Sequence, residues 1–474
     1  MTQILIEMKI RTVIPCLFII ALSANISAQN TDEDAFFIKK IHDHALSEGK
    51  CYDWLTHLSE NIGARLSGSD QYNEAADYTE AELRKLGVDK IWRQTTTVDY
   101  WDRGTGSSVK ITDAMGHVLE AKSLALGKSV GTPPGGITAE VIEVKSLDEV
   151  EKRGRAEIEG KIVFYNRPMD PTHLNTFRAY GGAVDQRGNG ASKASEFGAV
   201  GVLVRSMTTR QDDVPHTGSL RYKEGVKPIP GIAISTNDAN RLSMLLKDGE
   251  KPVMATIEAD CNPDGQRPSD NIIAEIKGSE FPDEIILVGG HLDSWDVGGG
   301  AHDDGSGCVH SMDVIHILKS LNYQPKRTIR CVLFANEENG LAGGREYARI
   351  SNENGEYHMA ALESDSGGFV PRGFTMDGTA EVLESYARQV NAWLPLLEPY
   401  GLWLKPGGSG AAINPLKSQN GLLMGLRPDS QRYFDFHHTE IDRIDAVNKR
   451  ELEMGAATMA TMVYLLDKYG LKRP

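Results

Sequence analysis

From Ile285 to Asp304 the chain reads Ile-Ile-Leu-Val-Gly-Gly-His-Leu-Asp-Ser-Trp-Asp-Val-Gly-Gly-Gly-Ala-His-Asp-Asp. A short apolar run closed by glycine reads as a buried strand. Its carboxyl end carries His291 and Asp293, and Asp303 follows after a glycine loop. The sequence around it alternates in type. Strand-like runs at 271–276, 284–288, 328–334 and 359–363 are interleaved with helical patterns at about 305–321, 343–350 and 380–394, and a last helix is expected over 449–469. That alternation predicts an α/β fold with a mostly parallel central sheet flanked by helices. The first two runs read as strands around a turn at 278–283.

In open α/β sheets ligands bind beyond the carboxyl ends of the strands. Several such ends here carry ligand-type side chains. The run ending at Phe334 leads into Asn336-Glu337-Glu338, the run ending at Glu363 leads to Asp365, and Phe436-His437-His438-Thr439 precedes the last helix. Each alone has an ordinary explanation. Glu337-Glu338 would make a solvated face, and Asp303-Asp304 a helix N-cap. Five such sites, most of them where a strand gives way to a loop and each offering His, Asp or Glu, are hard to reach by chance.

Neutral imidazole with nearby carboxylate suits zinc. Two ions about 3.5–4 Å apart are well served by a shared carboxylate, and Asp303 is the candidate bridge. His291 and Asp365 are expected to hold one ion, and Glu338 and His438 the other, with a position left for water, which such ions ionise near neutral pH. Glu337 is the expected general base. Asp293 is expected to fix the tautomer of His291, and Asp442 that of His438. His302 has the right residue type, but Asp303 already fills the bridging place. His310 and His316 fall within a helical pattern, and His173 stands alone. Arg427 and Arg432, near His437-His438, are candidates for a substrate carboxylate or plain surface arginines.

The remaining sequence divides into three parts. Lys9 and Arg11 precede an apolar run over 13–24, with small residues near Ala28. This reads as a secretory signal peptide, 1–28, too short for the roughly 20 residues of a membrane span. It predicts a secreted or periplasmic protein, and no Asn-x-Ser/Thr sequon follows it. Residues 32–93 are largely helical in pattern, and 100–126 alternates in a β manner. Gly, Thr and Pro around 129–136 mark a boundary. The segment 129–260 reads as a separate α/β unit between two catalytic parts, 29–128 and 261–474. Strands are expected there at 161–165, 200–204 and 228–234, with a long loop over 175–190. A net charge of −15 argues against a nucleic-acid partner. Past the leader, Cys51, Cys261, Cys308 and Cys331 show no paired spacing. Disulfides are not expected to hold the fold, and a Cys51–Cys261 pair has no support.

With these pieces assembled, the chain resembles the co-catalytic zinc aminopeptidase and glutamate carboxypeptidase family. The matching segments are Gly290 to Gly298, Gly300 to Gly305, Asn336 to Glu338, Glu363 to Asp365, Phe436 to His438 and the loop Gly63 to Gly68. The resemblance runs from about residue 35 to the end. It implies a zinc exopeptidase domain interrupted by a protease-associated-like insert, two zinc ions, and the same five ligands and base. It also implies dipeptide or short-peptide substrates, and a homodimer as one assembly open to the chain. Ala412 stands where relatives tend to have Asp, which bears on the substrate pocket. His437 stands where some distant members have Tyr; it is either an oxyanion donor or a packing residue. Amino-, carboxy- and dipeptidase activity all remain open. So do two rivals: a glutaminyl cyclase, an acyltransferase on a related fold with one zinc, and a receptor-type ectodomain with a degenerate site. In the last case ligands should be lost, and here none of the five is missing.

Overall fold

The structure, a computed structural model, describes residues 32–248 and 252–473. The expected leader at 1–28 lies outside the described residues. Helices α1 (32–48), α2 (Cys51–Thr56) and α3 (Asp70–Lys85) come first. Strands β1 (Lys90–Asp102), β2 (Ser107–Thr112), β3 (Val118–Ala121), β4 (Ser123–Ala125) and β5 (Ile137–Val144) follow. Then come α4 (Leu147–Ile158), β6 (Ile162–Tyr165), α5 (Thr176–Gly181), α6 (Asp185–Glu196), β7 (Gly201–Arg205), β8 (Gly231–Ile234), α7 (Thr236–Asp248) and β9 (Met254–Ala259). The carboxyl-terminal half holds β10 (Asn262–Ile276), β11 (Phe281–His291), α8 (Ser306–Ser320), β12 (Arg327–Phe334), α9 (Ala342–Glu353), β13 (Tyr357–Glu363) and β14 (Pro371–Asp377). It ends with α10 (Ala380–Asn391), α11 (Leu394–Leu397), β15 (Trp403–Pro406), β16 (Leu422–Pro428), α12 (Tyr433–Phe436) and α13 (Lys449–Tyr469).

Two eight-stranded sheets result. The first has the order β1-β10-β12-β11-β13-β16-β14-β15. Its centre, β12-β11-β13-β16, is parallel, and antiparallel pairs flank it. The runs at 271–276 and 284–288 do not form a hairpin, because β12 lies between them. A parallel strand covered on both faces loses its polar alternation, and β11 does so. Ile286 and Val288 point into one core, with α8, α13 and the amino-terminal helices. Leu287 points into the other, with Tyr347 of α9 and Ile413. The chain leaves β11 through α8 to β12 on one side, then through α9 to β13 on the other. The carboxyl end of β11 is therefore the point where the order reverses, and a crevice opens at such a point.

The second sheet has the order β3-β2-β9-β5-β6-β7-β8-β4. It recruits strands from Ser107 onward, so β2, β3 and β4 pair there, although by sequence 29–128 group with the carboxyl-terminal part. The expected loop over 175–190 is mostly α5 and the start of α6. Its glycines disguise both helices; Asn175 caps α5, its side chain accepting from the Phe177 N–H at 3.1 Å. Among the described residues all four cysteines are buried and free, and no helix is long and apolar enough to cross a membrane.

Candidate metal centre

All four central parallel strands deliver side chains at one edge. β11 ends on His291, β12 runs into Glu337 and Glu338, β13 into Asp365, and β16 into the turn that carries His437 and His438. Asp303 comes from the loop between β11 and α8. Its two oxygens face opposite ways. Oδ1 lies 3.4 Å from His291 Nε2, and Oδ2 lies 3.2 Å from His438 Nε2. On one side His291 Nε2 is 3.8 Å from Asp365. On the other His438 Nε2 is 3.1 Å from Glu338. His291, Asp303 and Asp365 form one group with ligand geometry, and Asp303, His437 and His438 another. The five expected ligands thus converge, with His437 beside them. Its ring stacks on that of His438 at 3.5 Å, and its Nε2 is 3.6 Å from Asp303.

The donor set fits a cation. Asp303 Oδ2 and Glu338 Oε1 are buried and have no hydrogen-bond partner, which is costly unless something positive meets them. Burial and the charge of Asp303 raise Glu338 to about 7. Burial works against the charged form of His291, yet Asp293, Asp303 and Asp365 together raise it well above its ordinary value. Burial also opposes a charged His438, but Glu338 and Asp303 raise it to about 9. A metal ion competes with these protons for the same atoms.

Glu337 lies next to Glu338, with its Oε2 4.0 Å from His291 Nε2. Burial, then the charges of Asp365, Glu338 and Asp293, push its carboxyl well above the usual range. Such a group is suited to carry a proton near neutral pH.

The supporting residues differ from the expected assignments. His291 Nδ1 is 2.9 Å from the backbone carbonyl of Asp293, while the carboxylate stands off at 3.7 Å. The carbonyl therefore fixes the tautomer and leaves Nε2 free for a ligand. The Asp293 carboxylate instead accepts the N–H groups of Glu337 at 3.0 Å and Glu338 at 3.3 Å. Asp442 does not reach His438. It accepts the N–H groups of His302 and Asp303 at 2.8 and 3.0 Å, and so pins the Asp303 loop. His302 faces away: its ring stacks on Phe369, and its Nδ1 accepts from the Gly368 N–H. His310 bonds Ser364, and His316 bonds Asp313. His173 remains apart, 3.9 Å from Asp170.

Other supports have weak sequence signals. Arg65 is fully buried and donates to the carbonyls of Leu292, Gly299 and Gly300 at 2.7–2.9 Å. It holds the ligand loop by its backbone. Only its place in the glycine-rich Gly63 to Gly68 loop hinted at this. His438 has a φ of 64°, a left-handed conformation that a non-glycine residue keeps only when its surroundings enforce it. Thr217, between β7 and β8, does so: its N–H donates to the His438 carbonyl at 3.0 Å, and its own carbonyl is 3.3 Å from His438 Nδ1. His216 Nδ1 bonds the His437 carbonyl at 2.9 Å. These contacts join residues 221 positions apart in sequence, beyond the reach of any local pattern.

The ligands open onto a cleft of about 710 Å³ between the two sheets. Tyr180, Arg187 and Arg221 line it from the second sheet's side, and Arg345, Tyr433 and Phe434 from the first. Arg427 and Arg432 do not line it. Arg427 is spent on Ser366, Thr375 and the Gly408 carbonyl, and Arg432 on Glu451 and the face of Phe369. Ala412 is packed in the core beside Tyr347, and its N–H and that of Ile413 hold the Glu363 carboxyl.

The model of peptidase family M28 matches residues 271–463. Relatives include carboxypeptidase Q of Bos taurus, 35% identical over 425 residues, covering 89% of this chain and 86% of that protein. Carboxypeptidase Q of Homo sapiens is 35% identical over 422 residues, again covering 89% and 86%. The crystal structure of a peptidase M28 precursor from Shewanella amazonensis is similar with a TM-score of 0.87 at 33% identity, over 94% of this chain and 99% of that one. A zinc aminopeptidase from Bacillus subtilis has a TM-score of 0.61 at 22% identity, over 89% and 96% of the two chains, a likeness of fold. A chain this similar to such relatives over most of its length belongs to peptidase family M28, and it is a metallopeptidase.

Proposed function

We propose that this chain is a secreted di-zinc exopeptidase that hydrolyses dipeptides or short peptides. The observation that carries the reading is Asp303, whose two oxygens face His291 and His438 on opposite sides. His291 and Asp365 would hold one zinc, Glu338 and His438 the other, and Asp303 both. Bound zinc polarises the peptide carbonyl and lowers the pKa of the attacking water. The relatives, carboxypeptidase Q and, by fold, a zinc aminopeptidase, support a metal-dependent exopeptidase.

The chain's own groups supply the rest. Glu337, with its raised pKa, takes a proton from the attacking water and passes it to the leaving amine. Asp293 keeps Glu337 and Glu338 aimed by holding both of their N–H groups. Burial, then His438, holds His437 neutral, so one ring nitrogen remains a donor for the developing oxyanion. A cleft of about 710 Å³ lies in the size range of small-ligand sites and favours short peptides over folded proteins. We read the second sheet as a protease-associated-like insert that closes this cleft. A mature amino terminus near Ala28 would support secretion.

Glu337→Gln tests the mechanism. The variant is expected to keep its metal and lose roughly 10²–10⁴-fold in kcat. Near-normal turnover would remove Glu337 from the base role.

A further inference from the structure

Behind the sheet, three helices hold a second ligand-type cluster that the site above does not use. Cys51 opens α2, Asp313 lies midway along α8, and Glu453 is in the first turns of α13. Their exposures are 0%, 0% and 2%. The Cys51 Sγ and one carboxylate oxygen of each acid all lie within 4.8 Å of one another. Asp313 is seven residues into α8, about 10 Å along the axis from the helix start at the ligand edge.

Protein partners satisfy this cluster only in part. Asp313 Oδ1 accepts from the Lys50 N–H at 3.2 Å and lies 2.9 Å from His316 Nδ1. Asp313 Oδ2 has no partner, and neither has either carboxylate oxygen of Glu453. The Cys51 thiol points at the Val309 carbonyl, 3.4 Å away. Lys449 stands over the Tyr52 ring rather than on either acid. Three orphaned, fully enclosed oxygens are costly to leave unmet. The two acids and the thiol together match the donors of a borderline-soft divalent ion.

We propose that Cys51, Asp313 and Glu453 bind a zinc-class divalent cation that ties α2, α8 and α13 together. A water completes a four-coordinate shell. On loading, the thiol releases its proton to solvent and binds as thiolate, and any proton held between the carboxyls is likewise released to solvent.

The thiol makes the site separable from the catalytic one, whose expected ligands are all nitrogen and oxygen. The full chain is stripped, reloaded with Co²⁺ or Zn²⁺, and compared with Cys51→Ser and Glu453→Gln. The expected result is a thiolate-to-cobalt charge-transfer band in the parent and complete loss of that band in Cys51→Ser. Each variant should hold one metal equivalent fewer than the parent, with peptide turnover unchanged. This is a difference in count, so it does not depend on how many ions the catalytic centre holds. Equal metal content in parent and variants, or a band that survives Cys51→Ser, overturns the proposal. If Cys51→Ser does not fold, the near-isosteric Glu453→Gln decides by its metal content alone.

Discussion

Asp293 shows how much one buried side chain can organise. Its carboxylate takes the N–H groups of both Glu337 and Glu338, so the proposed base and the proposed ligand share one anchor. Asp293→Ala would leave two amides without their acceptor and let both acids swing. We expect metal affinity to fall about 10–100-fold, as when other groups that orient ligands are removed, with kcat falling alongside. Competition with a chromophoric chelator reads the first and steady-state kinetics the second; an unchanged metal affinity would contradict this anchoring role. The candidate ligands His291, Glu338 and Asp365 were legible in sequence because each sits at or just past the end of an apolar run. The partners of Asp293 and Asp442 were not. A carboxylate near a histidine in sequence suggests a side-chain pair, and only the backbone path reveals that Asp293 holds His291 by its carbonyl.

At the scale of elements, the loop from β11 to α8 is held from outside itself. Asp442 grips the N–H groups of His302 and Asp303. Burial, with the Asp303 charge adding to it, raises Asp442 to about 7. Its folded value lies above the unfolded one of about 4. Its contribution is therefore full below pH 4 and lost as the pH rises through 7. The metal-free chain should be less stable at pH 8 than at pH 5 in denaturant melts, and Asp442→Asn should flatten that difference. An equal slope in both would contradict the assignment. Packing of the second sheet on the loop gives a separate test. A Cβ on Gly127 would come within 1.8 Å of the Trp295 ring, and that ring lies 5.6 Å from His438. Gly127→Ala should cost about 1–3 kcal/mol through overpacking and lower turnover as Trp295 shifts; wild-type stability by calorimetry would oppose it. Helices and central strands were legible here through apolar periodicity. Helix α5 and the first half of α6 were not, because glycine and polar residues hid them, and the β10–β11 turn misled because adjacent strands need not pair.

On the scale of the whole molecule, the ligand edge of one sheet faces the loops of the other. Thr217 and His216 reach across to brace His437 and His438, so the second sheet completes the site instead of merely covering it. By sequence, residues 29–128 group with the carboxyl-terminal part, and β2, β3 and β4 join the second sheet instead. β2 pairs with β9 and β4 with β8, each more than a hundred residues away, while β3 pairs with β2. Arg187 and Arg345 face the cleft, where Arg427 and Arg432 had been candidates. A panel of dipeptides with free, amino-blocked and carboxyl-blocked ends is expected to give turnover on short substrates and loss of activity when the required terminus is blocked. Equal cleavage of both blocked forms would argue against an exopeptidase.

The central claim is that Asp303 is shared by two ions. Elemental analysis of the zinc-loaded parent and of Asp303→Ala tests it directly. The account predicts that the variant holds two metal equivalents fewer per chain than the parent. A loss of one equivalent, or of none, would contradict it.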